Sequence, residues 1–220
     1  MDQFIEFLKH WLPTMQIVTV IVGTLAAFKQ RNRLLNLFVL FLWYAILNEF
    51  FADYYGTEIQ PGNNSIVYNV FYPVFFGVLF YLLHQSIKSR RFKQLIVFMY
   101  GSYFISMFIE LFVLGVDYTL QRQSLPYIIA GTSLLVCFLY FFVELLREEL
   151  VMHVERNMVF WIATAYFFYL LAYVPLKVEQ NYYANSVRMA SLFDVYFIMT
   201  LIMNLFLIIG FVWSSLWEEK

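Results

Sequence analysis

Apolar residues occupy seven long stretches of the chain, and short polar segments separate them. A helix needs roughly 20 apolar residues to cross the hydrocarbon core of a bilayer. The pattern therefore predicts an all-α fold, a bundle of seven transmembrane helices that forms a single domain over residues 1–220. The predicted spans cover residues 11–28, 34–52, 66–84, 95–114, 127–146, 158–176 and 192–213.

The positions of Lys and Arg predict which way the bundle faces, because cytoplasmic loops of membrane proteins are enriched in these residues. Most of the 14 basic residues fall in alternate connections. Those connections hold Lys29, Arg31, Arg33, Lys88, Arg90, Arg91, Lys93, Arg147 and Arg156. We therefore predict that the N-terminus faces outside and the C-terminus faces the cytoplasm. Charges at helical spacing over residues 144–157 also predict that the fifth helix extends beyond the membrane.

Composition narrows the chemistry as well as the location. The chain is 62% hydrophobic and 13% charged, whereas a soluble domain carries about 25% charged residues. A net charge of -1 without a basic stripe argues against a nucleic-acid partner. Cys137 is the only cysteine, which excludes a disulfide within the chain and Cys-based metal sites. We predict no cofactor, no metal and no catalytic residue.

Polar side chains near the predicted outer ends of several spans form the candidate ligand site. They are Glu49, Asp53, Asn69, Tyr72, Glu110 and Asp194. Together with nearby tyrosines they predict an outward-facing acidic and aromatic cavity, suited to a cationic or polyhydroxylated ligand. Bases expected in nearby loops would supply counter-charges: Arg122, Lys177 and Arg188. The structural alternative is that these carboxylates hydrate or pair with the bases near the interface. Glu49 is the best functional candidate, because it follows Asn48 and lies deeper than Asp53.

Asn204 lies near the middle of the seventh predicted span, away from the outer group. Its amide is expected to form a hydrogen bond with a neighbouring helix, as polar residues in membrane helices commonly do. A weak similarity between the second and sixth spans, and between the third and seventh, also allows a repeat of three helices on either side of a lone fourth helix. Such repeats occur in transporters.

Three stretches carry a resemblance to known proteins: NNSIVYNVFYPVFFGVLFY, YFFVELL and NMVFWIATAYFFYLLAYVP. With the length and spacing of the spans, they make the whole chain resemble a group of bacterial membrane proteins with seven spans and about this length. That group has no assigned activity, so the resemblance implies a bacterial inner-membrane location and no chemistry.

Three functional hypotheses follow, and the first is preferred. The chain is a non-enzymatic receptor-like or accessory membrane protein that binds a small-molecule ligand or a partner in the outer cavity. It would signal through another membrane or cytoplasmic protein, contacted by KSRRFK and by residues 147–156. Alternatively, it is a small-solute transporter or channel lined by Asn69, Asp194 and Asn204. The third alternative is a lipid-active enzyme that uses the outer carboxylates.

Overall fold

The computed structural model describes the backbone of residues 2–147, 154, 156–182 and 187–216, and the side chains of residues 10–147, 154, 156–179 and 194–215. Within these ranges the chain is all-α, with seven helices and no strand. The helices are α1 (Asp2–Gln30), α2 (Arg33–Tyr54), α3 (Ser65–Ser86), α4 (Arg90–Phe108), α5 (Leu125–Arg147), α6 (Met158–Tyr182) and α7 (Val187–Leu216).

Each helix contains a segment long and apolar enough to cross a membrane, which confirms the seven predicted spans. Large apolar side chains such as Phe28, Phe98 and Phe112 lie on the surface, an arrangement that lipid accommodates and water does not. The chain therefore has the architecture of a multi-pass membrane protein. The predicted orientation of its termini stays a prediction, and the proposed extension of α5 lies in residues 148–153 and 155, outside the described part of the chain.

Two of the three bases that we expected in loops are in helices instead. α6 continues to Tyr182, and Lys177 is a buried residue of that helix, only 3% exposed. Its ammonium lies 5.8 Å from the centre of the Tyr173 ring. Arg188 belongs to α7, with a side chain outside the described set. The loop prediction was therefore wrong for Lys177 and Arg188, because helical hydrogen bonding continues through polar residues once a helix has formed.

The contacts divide the chain into two compact units, the first over residues 1–39 and 135–220 and the second over residues 40–134. This division runs through α2 and α5 and does not follow the three-helix repeats suggested by the sequence. The single-domain prediction and the repeat stay predictions.

The first unit is held together by aromatic packing and two polar contacts. Phe38 packs against the rings of Tyr166 and Phe211, at centroid distances of 6.0 and 6.3 Å. The Thr19 hydroxyl of α1 lies 2.9 Å from Asn204 Oδ1 of α7, an interhelical hydrogen bond of the kind expected for Asn204. Asn204 Nδ2 donates to the Thr200 carbonyl of its own helix at 2.8 Å.

The second unit has an aromatic core centred on α3. The Phe76 ring lies 5.0 Å from the Tyr127 ring and 5.3 Å from the Tyr103 ring. Edge-to-face and tilted pairs of this kind stabilise a core beyond the area that they bury. Nearer the start of α3, Phe71 stacks on Phe41 at 6.0 Å and thereby joins α3 to α2.

Two helices of the second unit end in the same way. α2 is followed by a π-helical turn over Tyr55–Ile59, and α4 by a π-helical turn over Ile109–Val113. Each turn is followed within three residues by a glycine with positive φ, 81° at Gly62 and 66° at Gly115. Glycine adopts this conformation without the steric cost that a Cβ would bring. We call the end of the unit that carries residues 60–64 and 114–124 the loop end.

Candidate functional site

Glu110 is 4% exposed in the π turn after α4, and its carboxylate binds the start of α5. The Tyr118 hydroxyl donates to Oε2 at 2.7 Å, and the Leu125 N–H donates to Oε1 at 2.9 Å. The Ser124 N–H donates to the same carboxylate at 3.1 Å. The first N–H groups of a helix have no partner within it, and a negative charge at that end is stabilised by the helix dipole. Glu110 therefore fixes the entry into α5.

Asn69 of α3 also binds the connection between α4 and α5, through hydrogen bonds to its backbone. Its Nδ2 donates to the carbonyls of Tyr118 and Gln121, both at 2.8 Å. Its Oδ1 accepts from the Gln123 N–H at 2.7 Å. Gln123 is fully buried, and its Oε1 accepts from the Tyr103 hydroxyl at 2.8 Å. The Asn69 amide therefore has a partner for both N–H groups and for its oxygen.

We refer to Asn69, Tyr103, Glu110, Tyr118 and Gln123 as the closed network. Burial, and then the hydrogen bond to the Glu110 carboxylate, raise the pKa of Tyr118, so its phenol stays a proton donor. Among the described residues, every fully buried side-chain nitrogen or oxygen has a hydrogen-bond partner. A buried network that is satisfied in this way rigidifies a fold and leaves little capacity for a ligand.

Three of the six candidate site residues thus lie in the core of the second unit. Asn69 and Glu110 belong to the closed network, and the buried Tyr72 ring packs edge-on against Tyr127 at 4.9 Å. Glu49 and Asp53 of α2 are exposed. Asp194 is partly exposed and belongs to the first unit.

Glu49 takes part in a small exposed cluster at the loop end, which we call the charged edge: Glu49, Tyr68 and Arg122. The Tyr68 hydroxyl lies 2.9 Å from both carboxylate oxygens of Glu49. The Arg122 guanidinium carbon lies 3.9 Å from the centre of the Tyr68 ring. Arg122 Nη2 also donates to Asn64 Oδ1 at 2.7 Å. In the charged edge, the Glu49 carboxylate and the Arg122 guanidinium therefore both contact Tyr68, the first at its hydroxyl and the second at its ring.

An open groove of about 450 Å³ lies along α2 and α3 within the second unit. We call it the α2–α3 groove. Its lining consists of Tyr44, Leu47, Asn48, Phe51, Tyr55, Ile66, Val67 and Val70. It follows α2 from Tyr44 to the start of the π turn at Tyr55, a length of about 16 Å at roughly 1.5 Å per residue. Volume and lining are those of a small-molecule site, in which apolar walls carry a few polar groups.

Asn48 is the exceptional side chain of this groove. It is 9% exposed and therefore nine-tenths buried, yet its amide forms no hydrogen bond with any residue that the structure describes. Because every fully buried side-chain nitrogen or oxygen of the described residues has a partner, the unpartnered amide atoms of Asn48 keep some exposure at the surface. Asn48 lines the groove, and its amide has two donors and one acceptor for a molecule bound there.

Sequence reasoning missed Asn48 as a site residue and Gln123 as a core residue. The signal for Asn48 is present in the sequence, because Tyr44, Asn48, Phe51 and Tyr55 recur at the spacing of one helix face. Gln123 gives no such signal, because it lies in a connection, where polar residues are normally solvated.

No family model, curated protein or solved structure matches the chain. Within the described residues, no group of three or more His, Cys, Asp or Glu side chains is placed to hold a metal ion. The functional argument therefore starts from the geometry of the groove, the charged edge and the closed network.

Proposed function

We propose that the chain is a non-enzymatic membrane protein, receptor-like or an accessory subunit, that binds a lipid-like ligand in the α2–α3 groove. The observation that supports this proposal most directly is the unpartnered amide of Asn48 in an otherwise mainly apolar groove. A ligand with one polar group near an apolar chain would give that amide its missing hydrogen bond and fill the rest of the volume.

The composition of the groove favours an apolar or amphipathic ligand over the cationic or polyhydroxylated ligand expected from the sequence. Its walls come from Leu47, Phe51, Val67 and Val70, with few groups that could replace the hydration of a sugar or an ammonium ion. The predicted carboxylates are not part of this lining: Glu49 binds Tyr68, and Glu110 binds the start of α5.

The route of entry also favours a lipid. Leu47, Phe51 and Val70 are each at least half exposed on the surface of helices long enough to span a membrane. In a bilayer, such a surface is in contact with acyl chains, so the groove is open to molecules already dissolved in the membrane. Under the proposed topology, with the N-terminus outside a bacterial inner membrane, the loop end would face the outer surface.

Ligand binding would be signalled to a partner protein that contacts the chain. The proposed contact segments are KSRRFK, between α3 and α4, and the connection over residues 147–156. Under the positive-inside orientation, both would lie on the cytoplasmic side. A basic segment at that position could bind an acidic surface of a partner or the anionic lipids of the inner leaflet.

Native mass spectrometry of the detergent-purified chain tests the proposal with a pair of matched variants. Asn48→Leu removes the groove amide, and Asn36→Leu makes the same change at an exposed position of α2 outside the groove. We expect a lipid-mass adduct on the parent and on Asn36→Leu that is lost or strongly reduced on Asn48→Leu. Equal adducts on all three proteins, or a parent without any adduct, would overturn the proposal.

A further inference from the structure

The charges of the second unit are separated by sign between its two ends. Its acidic residues lie in the last two turns of α2, in the π turns or in the loops: Glu49, Asp53, Glu58, Glu110 and Asp117. At the start of α4, by contrast, the segment KSRRFK has four bases among six residues, and no acidic residue occurs between Glu58 and Glu110. The start of α4 is therefore strongly positive, and neither α3 nor α4 supplies a carboxylate to neutralise it.

Two arginines at the start of α4 have no partner in the described fold. Arg90 and Arg91 are the first two residues of the helix and are exposed. They form no hydrogen bond or ion pair with any residue that the structure describes. The first turn of a helix favours acidic side chains, because the helix dipole places partial positive charge there, yet the first turn of α4 has none. An anion bound from outside would compensate this unbalanced positive charge.

Helix geometry places a polar side chain and exposed apolar side chains on the same face as these arginines. Gln94 lies about one turn beyond Arg90 and Arg91, and Val97 and Phe98 lie about two turns beyond them. Gln94 is exposed and has no partner among the described residues, while Val97 and Phe98 are 60% and 70% exposed. We call these five residues the α4 face. From the start of the helix inwards, this face carries positive charge, then an amide, then apolar surface.

The direction of helical side chains suits the two arginines to the level of lipid headgroups. Cα–Cβ bonds in a helix tilt towards its N-terminus, so Arg90 and Arg91 start in the direction away from the apolar part of α4. Long basic side chains near the ends of membrane helices extend to the interface in this way. The planar donors of a guanidinium group match two phosphate oxygens. The arginines are therefore placed to bind a phosphate at the membrane surface.

We propose that the α4 face binds an anionic phospholipid of the phosphatidylglycerol class. The phosphate binds Arg90 and Arg91. The Gln94 amide donates to an ester carbonyl about 5 Å further along the helix, the rise of one turn. The acyl chains lie against Val97 and Phe98. The order of these partners along α4 is the order of the chemical groups along such a lipid. This inference goes beyond the proposed function, because it does not involve the α2–α3 groove.

Two features favour this lipid over other anionic or zwitterionic partners. A zwitterionic headgroup also carries an amine, for which α3 and α4 offer no carboxylate, so electrostatic complementarity favours a headgroup with net negative charge. An acidic protein surface could bind the arginines, but it would leave Val97 and Phe98 without a partner, since they belong to the apolar part of a helix long enough to span a membrane. A phospholipid covers both parts of the face.

Native mass spectrometry of the full chain in detergent tests the assignment by titration with three lipids that have identical acyl chains: phosphatidylglycerol, phosphatidylethanolamine and diacylglycerol. All proteins carry Asn48→Leu, so that the groove contributes little to the curves. We expect phosphatidylglycerol to bind most tightly. Arg90→Gln and Arg91→Gln should each weaken it about fivefold and leave diacylglycerol unchanged. Arg122→Gln removes the same charge from an exposed base at the loop end and serves as the matched control.

Unchanged diacylglycerol binding shows that the variants are folded, so a loss of phosphatidylglycerol cannot come from unfolding. Phosphatidylethanolamine that binds as tightly as phosphatidylglycerol, or an equal loss in Arg122→Gln, would overturn the assignment. Displacement of phosphatidylglycerol by glycerol 3-phosphate at the same concentration would overturn the lipid in favour of a soluble phosphate. Displacement by a soluble poly-glutamate peptide at that concentration would overturn it in favour of an acidic protein surface.

Discussion

Two polar regions of the second unit contrast in how their hydrogen bonds are satisfied. In the closed network, the Asn69 amide uses both N–H groups and its oxygen on the connection before α5. In the α2–α3 groove, Asn48 is nearly as buried, but its amide has no partner among the described residues. Both are asparagines in apolar spans. The contrast indicates that a polar group whose hydrogen bonds are all formed within the fold is structural, and that a polar group without a partner on the lining of a groove is a candidate binding group.

Glu110→Ala should have the largest effect of the substitutions considered, and that effect is a loss of stability. The substitution leaves the Tyr118 hydroxyl and the N–H groups of Ser124 and Leu125 without their acceptor. We expect a loss of about 3 kcal/mol of stability, since each buried donor left unsatisfied costs about 1–3 kcal/mol. Thermal unfolding in detergent, followed by circular dichroism, measures it. An unchanged midpoint would mean that Glu110 does not hold α5, and that its carboxylate is available for another role.

Asn69→Leu should destabilise the fold somewhat less than Glu110→Ala does. It removes a neutral amide and leaves the carbonyls of Tyr118 and Gln121 and the N–H of Gln123 unpaired, with a cost of about 2 kcal/mol. The same unfolding assay gives the value. Lipid affinity of the folded fraction should stay within twofold of the parent, and a selective loss of affinity at full stability would reverse the roles that we assign to the two asparagines.

Asn48→Leu should show the opposite pattern, with lost affinity and retained stability. The Asn48 amide has no hydrogen bond within the described residues to lose, so the unfolding midpoint should stay the same or rise. Lipid affinity should fall about tenfold, which corresponds to roughly 1.4 kcal/mol. Isothermal titration with a detergent-solubilised lipid measures the affinity. A fall in the midpoint with unchanged affinity would make Asn48 a structural residue with a partner of its own.

The smallest effect on stability is expected at Asp117, an exposed residue of the same connection that is not part of the closed network. Hydrogen bonds from the Thr119 hydroxyl and N–H lower the pKa of this exposed carboxyl. A depressed folded pKa stabilises the fold above the unfolded pKa, and this contribution is lost as the pH falls through the folded value. Thr119→Ala should raise the pKa of Asp117 towards its ordinary value with little change in stability. A carboxyl carbon NMR titration checks it, and an unchanged pKa would contradict the assigned cause.

The spans could be predicted from the sequence, whereas the structural roles and hydrogen-bond partners of their polar residues could not. Hydropathy located all seven helices, because a membrane segment must be apolar along its whole length. Glu49, Asn69 and Glu110 looked alike in the sequence, as polar residues near span ends. The difference arises from the connection over residues 114–124, which folds back to supply partners to Asn69 and Glu110. Such partners are distant in sequence and are set by the tertiary fold.

The two asparagines can be compared directly in one NMR spectrum of the full chain labelled with ¹⁵N-asparagine in detergent. The side-chain amide signals of Asn48 and Asn69 are assigned from the spectra of Asn48→Leu and Asn69→Leu. Upon titration with a detergent-solubilised phospholipid, we expect the Asn48 amide signal to shift downfield in a saturable manner and the Asn69 signal to stay in place. A shift of Asn69 without a shift of Asn48 would contradict the central claim that the unpartnered amide marks the binding site.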